Sequence, residues 1–110
     1  MKLIKSIVRP HKVDDVREAL EKLSIAGMTV TDVRGHGRQK GHTAVYRGKE
    51  YKVTLLPKME IDVVVADEAA DAVVQAIVQA ARTGEIGDGR VFVLPVTASY
   101  RVRTGEAELE

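Results

Sequence analysis

Alternating apolar and polar residues over 59–66, followed at once by a helical pattern, most constrain how this chain can fold. One face of the predicted strand is apolar, and the other carries Glu60 and Asp62. Asp67 is a favourable helix N-cap, and an apolar stripe at helical spacing continues to about Arg82. A strand with one apolar face needs a covering layer, and this helix can supply it.

The same order of elements occurs earlier in the chain. Residues 2–9 predict a strand, and apolar residues at helical spacing over 13–23 predict a helix. Residues 28–33 predict a second strand. The last strand is expected over 90–96, with Pro95 placing it at an edge or a strand end. Two strand–helix–strand units predict an α+β fold, a split βαββαβ sandwich with both helices on one face of an antiparallel sheet.

Composition restricts the classes of protein that remain. The 110 residues fit one domain, residues 1–110, whose C-terminal segment is 97–110. Charges nearly cancel, with 17 basic and 16 acidic residues, which argues against a nucleic-acid binder. Cysteine is absent, and no run of about 20 apolar residues could span a bilayer. These features predict a cytoplasmic protein.

A long stretch without periodicity separates the two units, between strands 2 and 3. Residues 37–55 are predicted to form a mobile loop, because glycines and charges interrupt every pattern there. The loop carries five Lys or Arg between 38 and 52 against one acidic residue. Tyr46 and Tyr51 near its tip indicate a docking contact or a modification target, or else rings packed on the loop's own base.

Two glycine-rich segments could bind anions. The first, TGEIGDGR at 83–90, would let backbone N–H groups converge on a phosphate, with Gly84 also suited to end the preceding helix. Arg101 and Arg103 alternate on a predicted extended piece, 99–103, and could join that site. The alternative is a tight turn with solvated arginines.

The second segment, GHGRQKGH at 35–42, lies at the mouth of the long loop and is equally consistent with a solvated loop. Nothing nearby completes a metal site with its histidines. Lys58 is either solvated or a partner for a carboxylate ligand. Asp62 is expected to form an ion pair with Arg90. No catalytic constellation stands out.

Four ordered motifs resemble one family. HGRQKGH at 36–42, YRGKEY at 46–51, TGEIGDGR at 83–90 and RVRTGE at 101–106 are similar to segments of the PII nitrogen-regulatory signal-transduction proteins. The resemblance covers residues 1–106. It implies a ferredoxin-like subunit of a compact homotrimer that binds nucleotide in the clefts between subunits.

The resemblance also implies ligands and the residues that bind them. Its ligands would be ATP or ADP in competition, Mg²⁺, and 2-oxoglutarate that binds with Mg-ATP. The ATP/ADP site would use Ile7, Thr29, Gly35, Gly37, Arg38, Gln39, Val64, Gly87, Asp88, Gly89, Arg90, Arg101 and Arg103. The 2-oxoglutarate site would use Gln39, Lys40, Gly41 and Lys58, with Gln39 also a ligand of Mg²⁺.

The implied activity is regulation through the long loop rather than catalysis. Tyr51 matches a tyrosine that is uridylylated in many members. The partner would be an ammonium transporter, a nitrogen-regulatory kinase, an adenylyltransferase or a biosynthetic enzyme, so a membrane would be met only through a transporter. An ATP-hydrolysing or phosphoryl-transfer enzyme on the same fold is the alternative.

Overall fold

The fold is taken from a computed structural model, which describes residues 1–36, 43–46, 49–52 and 55–108. The elements in chain order are β1 (Lys2–Val8), α1 (Val13–Lys22), β2 (Thr29–Gly35), β3 (Thr43–Tyr46), β4 (Lys49–Lys52), β5 (Leu56–Val65), α2 (Ala70–Ala81) and β6 (Gly89–Pro95). Short 3-10 turns precede both helices.

A four-stranded antiparallel sheet has the order β2-β5-β1-β6. The predicted α+β arrangement is therefore confirmed, with each strand–helix–strand unit contributing one central and one edge strand. Pro95 lies in β6, which is an edge strand as predicted, so its missing N–H breaks no ladder in the sheet's interior. No helix in the described part of the chain is long and apolar enough to cross a membrane.

The hydrophobic core lies between the sheet and the two helices. Ile4 and Ile61 from the central strands and Leu20 and Ile77 from the helices are at most 1% exposed. Ser6 is also fully buried, and its hydroxyl donates to the Ile61 carbonyl at 3.2 Å, so its burial leaves no unpaired hydroxyl.

The described residues place no covering layer on the opposite face of the sheet. The register places Val64 opposite Leu3, which in turn lies opposite Leu94, and these residues point away from the helices. Val64 is 51% exposed and Phe92, on the same face, is 45% exposed. We call this surface the open face.

The start of α2 differs from the prediction, because Asp67 does not cap the helix. Asp67 begins a 3-10 turn, and the N-cap position of α2 is occupied by Ala69, which makes no side-chain capping hydrogen bond. Its carboxylate instead lies 3.0 Å from the Met1 ammonium and 4.0 Å from Lys2 Nζ. These cations at the start of β1 compete with the helix N–H groups for the carboxylate, and hydrogen bonding to the ammonium lowers the pKa of Asp67.

The predicted extended piece at 99–103 is wrong. Only an isolated bridge joins Tyr100 to Ala107, and the chain turns back between them. The turn forms because the Arg101 N–H donates to the Glu106 carbonyl at 2.9 Å, and Gly105 has a φ of 73°. We call residues 99–108 the C-terminal turn.

Part of the long loop is a β-ladder that the sequence pattern did not predict. β3 and β4 pair antiparallel, with Tyr46 opposite Lys49 and Thr43 opposite Lys52. Residues 37–42, 47–48 and 53–54 of that loop lie outside the described residues, so its mobility stays a prediction, as does the division of the chain into loop and C-terminal segment.

Candidate functional site

The glycine-rich segment between α2 and β6 is organised around the Asp88 carboxylate. Oδ2 accepts hydrogen bonds from the N–H groups of Thr83 and Gly84, each at 2.8 Å, and Oδ1 accepts one from the Thr83 hydroxyl. Gly84 has a φ of 90°, and it lies beyond the last helical residue, Ala81. The Gly84 N–H therefore donates to Asp88 within the loop and does not cap the end of α2.

Arg9, just after β1, fixes the same loop from outside. Its Nε donates to Asp88 Oδ1 at 3.1 Å, and its Nη2 donates to the Ile86 carbonyl at 3.0 Å. Partial burial opposes ionisation of Asp88. The hydrogen bonds from Thr83, Gly84 and Arg9 outweigh that effect and hold the pKa of Asp88 well below its usual range.

Gly89 brings the loop directly against β1. It lies opposite Val8, has a φ of 105°, and a Cβ built there would stand 1.7 Å from the Ile7 carbonyl oxygen. No other residue type fits at that position, so this glycine is required by the packing of β6 on β1 whatever the loop binds. Arg90 follows at once, opposite Ile7.

Lys58 connects the glycine-rich loop to the start of the long loop. It lies on β5 opposite Val33, and its Nζ donates to the Gly87 carbonyl at 2.5 Å. A Cβ added to Gly35 would meet the Lys58 side chain at 3.6 Å. Desolvation and the positive charge of Arg9 lower the pKa of Lys58, and Asp88 partly offsets both effects.

The middle of the open face carries two neighbouring carboxylates. Asp62 lies opposite Lys5 on one side and Thr29 on the other, and its Oδ1 is buried without a hydrogen-bond partner in the described part of the chain. Hydrogen bonding to Asp62 is the main cause that raises the pKa of Glu60, with desolvation second.

The expected ion pair between Asp62 and Arg90 does not form among the described residues. The register explains why. β1 lies between the two strands, and the residue facing Arg90 across it is Ile7, which lies opposite Glu60 rather than Asp62.

A second polar region lies at the other end of the open face. A cleft of about 500 Å³ is lined by residues that include Met1, Val64, Arg101 and Glu108. The Glu108 carboxylate accepts from Arg101 Nε at 3.0 Å and from the Ser99 hydroxyl at 3.1 Å, and both contacts lower the pKa of Glu108.

These two regions are far apart within one chain. Arg101 lies beside Met1 at the start of β1, whereas Gly89 lies opposite Val8 at its other end. Seven residues of extended strand separate the two by about 23 Å. One chain therefore does not bring its own Arg101 to its own glycine-rich loop. Arg103 lies in the C-terminal turn, exposed, and makes no hydrogen bond within the described residues.

The structure thus divides the predicted site residues into groups. Ile7, Gly35, Lys58 and the loop Gly87–Arg90 meet at one end of the sheet, while Thr29 and Val64 lie further along the open face. Gly37, Arg38, Gln39, Lys40 and Gly41 lie outside the described residues. Tyr51 lies in β4, and only its backbone is described. No group of three or more His, Cys, Asp or Glu within the described ranges could hold a metal ion.

Arg9, Thr83 and Glu108 are the organising residues that sequence reasoning missed. Arg9 lies 79 positions from Asp88, and nothing in its local sequence indicates that contact. Thr83 was visible only as the residue before a glycine. Glu108 lies in a short acidic stretch near the end of the chain, and its partners are set by the C-terminal turn and not by spacing.

Comparison with known proteins identifies the family of this chain. The family model described as nitrogen regulatory protein P-II matches residues 1–106. The nitrogen regulatory protein P-II of Rhizobium etli is 52% identical over 110 residues, covering 100% of this chain and 98% of that protein.

Two further relatives also match over nearly the whole length of both chains. Nitrogen regulatory protein P-II 1 of Escherichia coli K12 is 55% identical over 108 residues, which are 98% of this chain and 96% of that protein. The P-II protein of Haemophilus influenzae is 55% identical over 106 residues, 96% of this chain and 95% of that protein.

The class that the fold and these matches define is a small regulatory protein, not an enzyme. The chain belongs to the nitrogen regulatory protein P-II family, and its role is signalling in nitrogen regulation.

Proposed function

We propose that this chain is a homotrimeric, cytoplasmic sensor that binds ATP or ADP in competition, and 2-oxoglutarate together with Mg-ATP, and that it controls partner proteins through the 37–55 loop. The observation that carries the proposal is the position of Lys58. Its ammonium donates to Gly87 in the glycine-rich loop, and its stem packs by Gly35, where the long loop begins.

An anion at Lys58 would act on both loops at once. The Lys58 ammonium donates to the backbone carbonyl of Gly87. A carboxylate accepts a stronger, charge-assisted hydrogen bond than a carbonyl does, so a dicarboxylate would draw the ammonium away from Gly87. That movement would change the contacts at the base of the long loop, which is the switch that partners would recognise.

The open face supports nucleotide binding by its length and chemistry. Leu3, opposite Val64, and Ile7, opposite Arg90, are four residues apart, or about 13 Å along the strand. This separation is comparable with the distance from a nucleotide base to its terminal phosphates. The unpaired Asp62 oxygen between these points is an acceptor of the kind that a ribose hydroxyl satisfies.

The distance between Arg90 and Arg101 within one chain supports a nucleotide site that two subunits share. A triphosphate at Gly87–Arg90 would need Arg101 and Arg103 from a second copy, since a chain's own Arg101 lies about 23 Å away along β1. The exposed apolar side chains of the open face supply a surface that a trimer would bury.

Magnesium would be held mainly by the nucleotide phosphates, with Gln39 as the protein ligand that the motif implies. The described residues offer no carboxylate or histidine cluster that would hold it alone. When bound, Mg²⁺ would supply positive charge to a dicarboxylate. The chain's own contribution there is Lys58 and the backbone of the glycine-rich loop.

We further propose that the long loop is both the contact site for partner proteins and the site of modification. An ammonium transporter, a nitrogen-regulatory kinase, an adenylyltransferase or a biosynthetic enzyme would contact the long loop, and Tyr51 would be its site of uridylylation.

Calorimetry and sedimentation test the proposal directly. ATP and ADP should bind with mutual competition, 2-oxoglutarate should bind only with Mg-ATP, and the sedimenting species should be a trimer. Gln39→Ala should lose 2-oxoglutarate binding and largely keep ATP. A monomer that ignores adenine nucleotides would overturn the proposal.

A further inference from the structure

Arg101 is held by a carboxylate of its own chain, and this contact leaves part of its guanidinium available. Glu108 engages only Nε of Arg101, at 3.0 Å, while its other oxygen accepts from the Ser99 hydroxyl. The described residues provide no hydrogen bond to the two Nη atoms of Arg101. These two atoms form an edge of the guanidinium that can donate two hydrogen bonds to one phosphate.

Backbone hydrogen bonds within the C-terminal turn hold Glu108 close to Arg101. The Glu108 N–H donates to the Ser99 carbonyl at 2.7 Å, and the Gly105 N–H donates to the Arg101 carbonyl at 2.7 Å. Tyr100 and Ala107 pair between these points. Glu108 is thus fixed relative to Arg101 at both its backbone and its carboxylate.

We infer that Glu108 is a positioning residue, which aims the free edge of Arg101 at the phosphates of a nucleotide bound by a neighbouring subunit. The inference rests on the proposed function, because it needs Arg101 to meet a phosphate. Arg101 is 59% exposed along its side chain, so without a tether it would lose rotamer freedom on binding. Glu108 removes that freedom beforehand.

The same position of Glu108 also has an effect that would weaken phosphate binding. The negative charge of Glu108 also lies near the phosphates and would repel them. Both groups are largely exposed, where solvent screens this repulsion strongly. We therefore expect positioning to outweigh repulsion. Loss of positioning would lower the ATP affinity of a Glu108 variant, whereas loss of repulsion would raise it.

Two substitutions of Glu108 separate the effects. Glu108→Gln removes the charge but keeps an oxygen that can accept from Arg101 Nε, and Glu108→Ala removes both. We expect Glu108→Ala to weaken ATP binding about fivefold, as loss of one immobilised side chain does. Glu108→Gln should stay within about twofold of the unaltered chain. Tighter binding by both variants would overturn the inference.

Glu106 provides the matched control for charge. It lies in the same turn, and only its backbone forms hydrogen bonds within the described residues. Glu106→Ala removes the same charge but keeps the contact between Glu108 and the Arg101 side chain, so it should leave ATP affinity nearly unchanged. An equal loss in Glu106→Ala and Glu108→Ala would contradict a specific role for Glu108.

A double-mutant cycle distinguishes positioning from a general effect on folding. If Glu108 acts through Arg101, then Glu108→Ala should have no further effect on ATP affinity once Arg101→Ala is present. A full fivefold loss in that background would overturn the inference. Thermal unfolding and sedimentation of each variant verify that the trimer is intact.

The outcomes also separate this inference from the proposed function. Failure of the unaltered chain to bind ATP would overturn both. Normal ATP binding by the unaltered chain, with the same affinity in Glu108→Ala, would overturn the role of Glu108 and leave the proposed function standing.

Discussion

Arg9 Nε lies 3.1 Å from Asp88 Oδ1, and this ion pair joins residues 79 positions apart in the sequence. It ties the end of β1 to the loop that precedes β6. Both side chains are partly buried, at 19% and 24% exposure, so the pair is screened less than a surface pair is. The loop thereby has a defined shape before any ligand binds.

Asp88→Asn should weaken the fold in neutral solution and alter its response to acid. We expect a loss of about 1–2 kcal/mol at pH 7, because the carboxylate caps two backbone N–H groups. The pKa of Asp88 is lowered in the folded chain, so its stabilising effect is full above its unfolded value of about 4. That effect is lost as the pH falls from there towards the lower folded value.

Urea unfolding at several pH values between 7 and 2 measures this effect. The variant should lose less stability than the unaltered chain below pH 4. Asp32→Asn is the control, because Asp32 is exposed and forms no ion pair among the described residues. Parallel pH curves for the unaltered chain and Asp88→Asn would contradict the prediction.

Gly89→Ala should be severely destabilising, by more than about 4 kcal/mol, the range reached by few single substitutions. The added Cβ would stand 1.7 Å from the Ile7 carbonyl oxygen at a φ of 105°. Gly27→Ala is the matched control, since a Cβ there meets nothing within 4 Å, and its effect should be within about 0.5 kcal/mol. Thermal unfolding compares the two, and a Gly89→Ala chain as stable as Gly27→Ala would refute the close approach.

Lys58→Ala should reduce 2-oxoglutarate affinity by more than about tenfold, because a charge-assisted hydrogen bond contributes about 2 kcal/mol. ATP affinity should change much less, since the loop keeps Asp88 and Arg9. Calorimetry with Mg-ATP present measures both. Lys22→Ala, at the end of α1, removes an equal charge far from the loop and should be neutral. Unchanged 2-oxoglutarate binding in Lys58→Ala would exclude the proposed role.

Ser24→Gly should stabilise the chain by about 0.5–1 kcal/mol. Ser24 follows α1 with a φ of 61°, a left-handed conformation that glycine adopts with little strain and other residues with about 1–2 kcal/mol. The greater freedom of glycine in the unfolded chain offsets part of the gain. Ser24→Ala, measured by the same urea unfolding, separates backbone strain from loss of the hydroxyl. An equal gain in the alanine variant would disprove the backbone explanation.

Sequence reasoning found the glycine-rich loop but not the contacts that organise it. Asp88 is predicted to belong to a nucleotide site, and the structure adds that its carboxylate accepts from Thr83, Gly84 and Arg9. Asp67 was expected to cap a helix, yet it accepts from the N-terminal ammonium. The contacts of both carboxylates have one cause. A carboxylate binds the nearest strong donor in space, and local sequence does not reveal which donor that is.

The sequence by itself determined the order of the four main strands and two helices, the apolar face of β5, and the family. Apolar periodicity encodes burial directly, and the four motifs occur in a fixed order. Only the tertiary structure decided that Arg9 holds the glycine-rich loop, that Lys58 connects it to the start of the long loop, and that Arg101 and Gly89 lie near opposite ends of β1. Those facts depend on the register of paired strands, which brings distant residues together through contacts that no local pattern records.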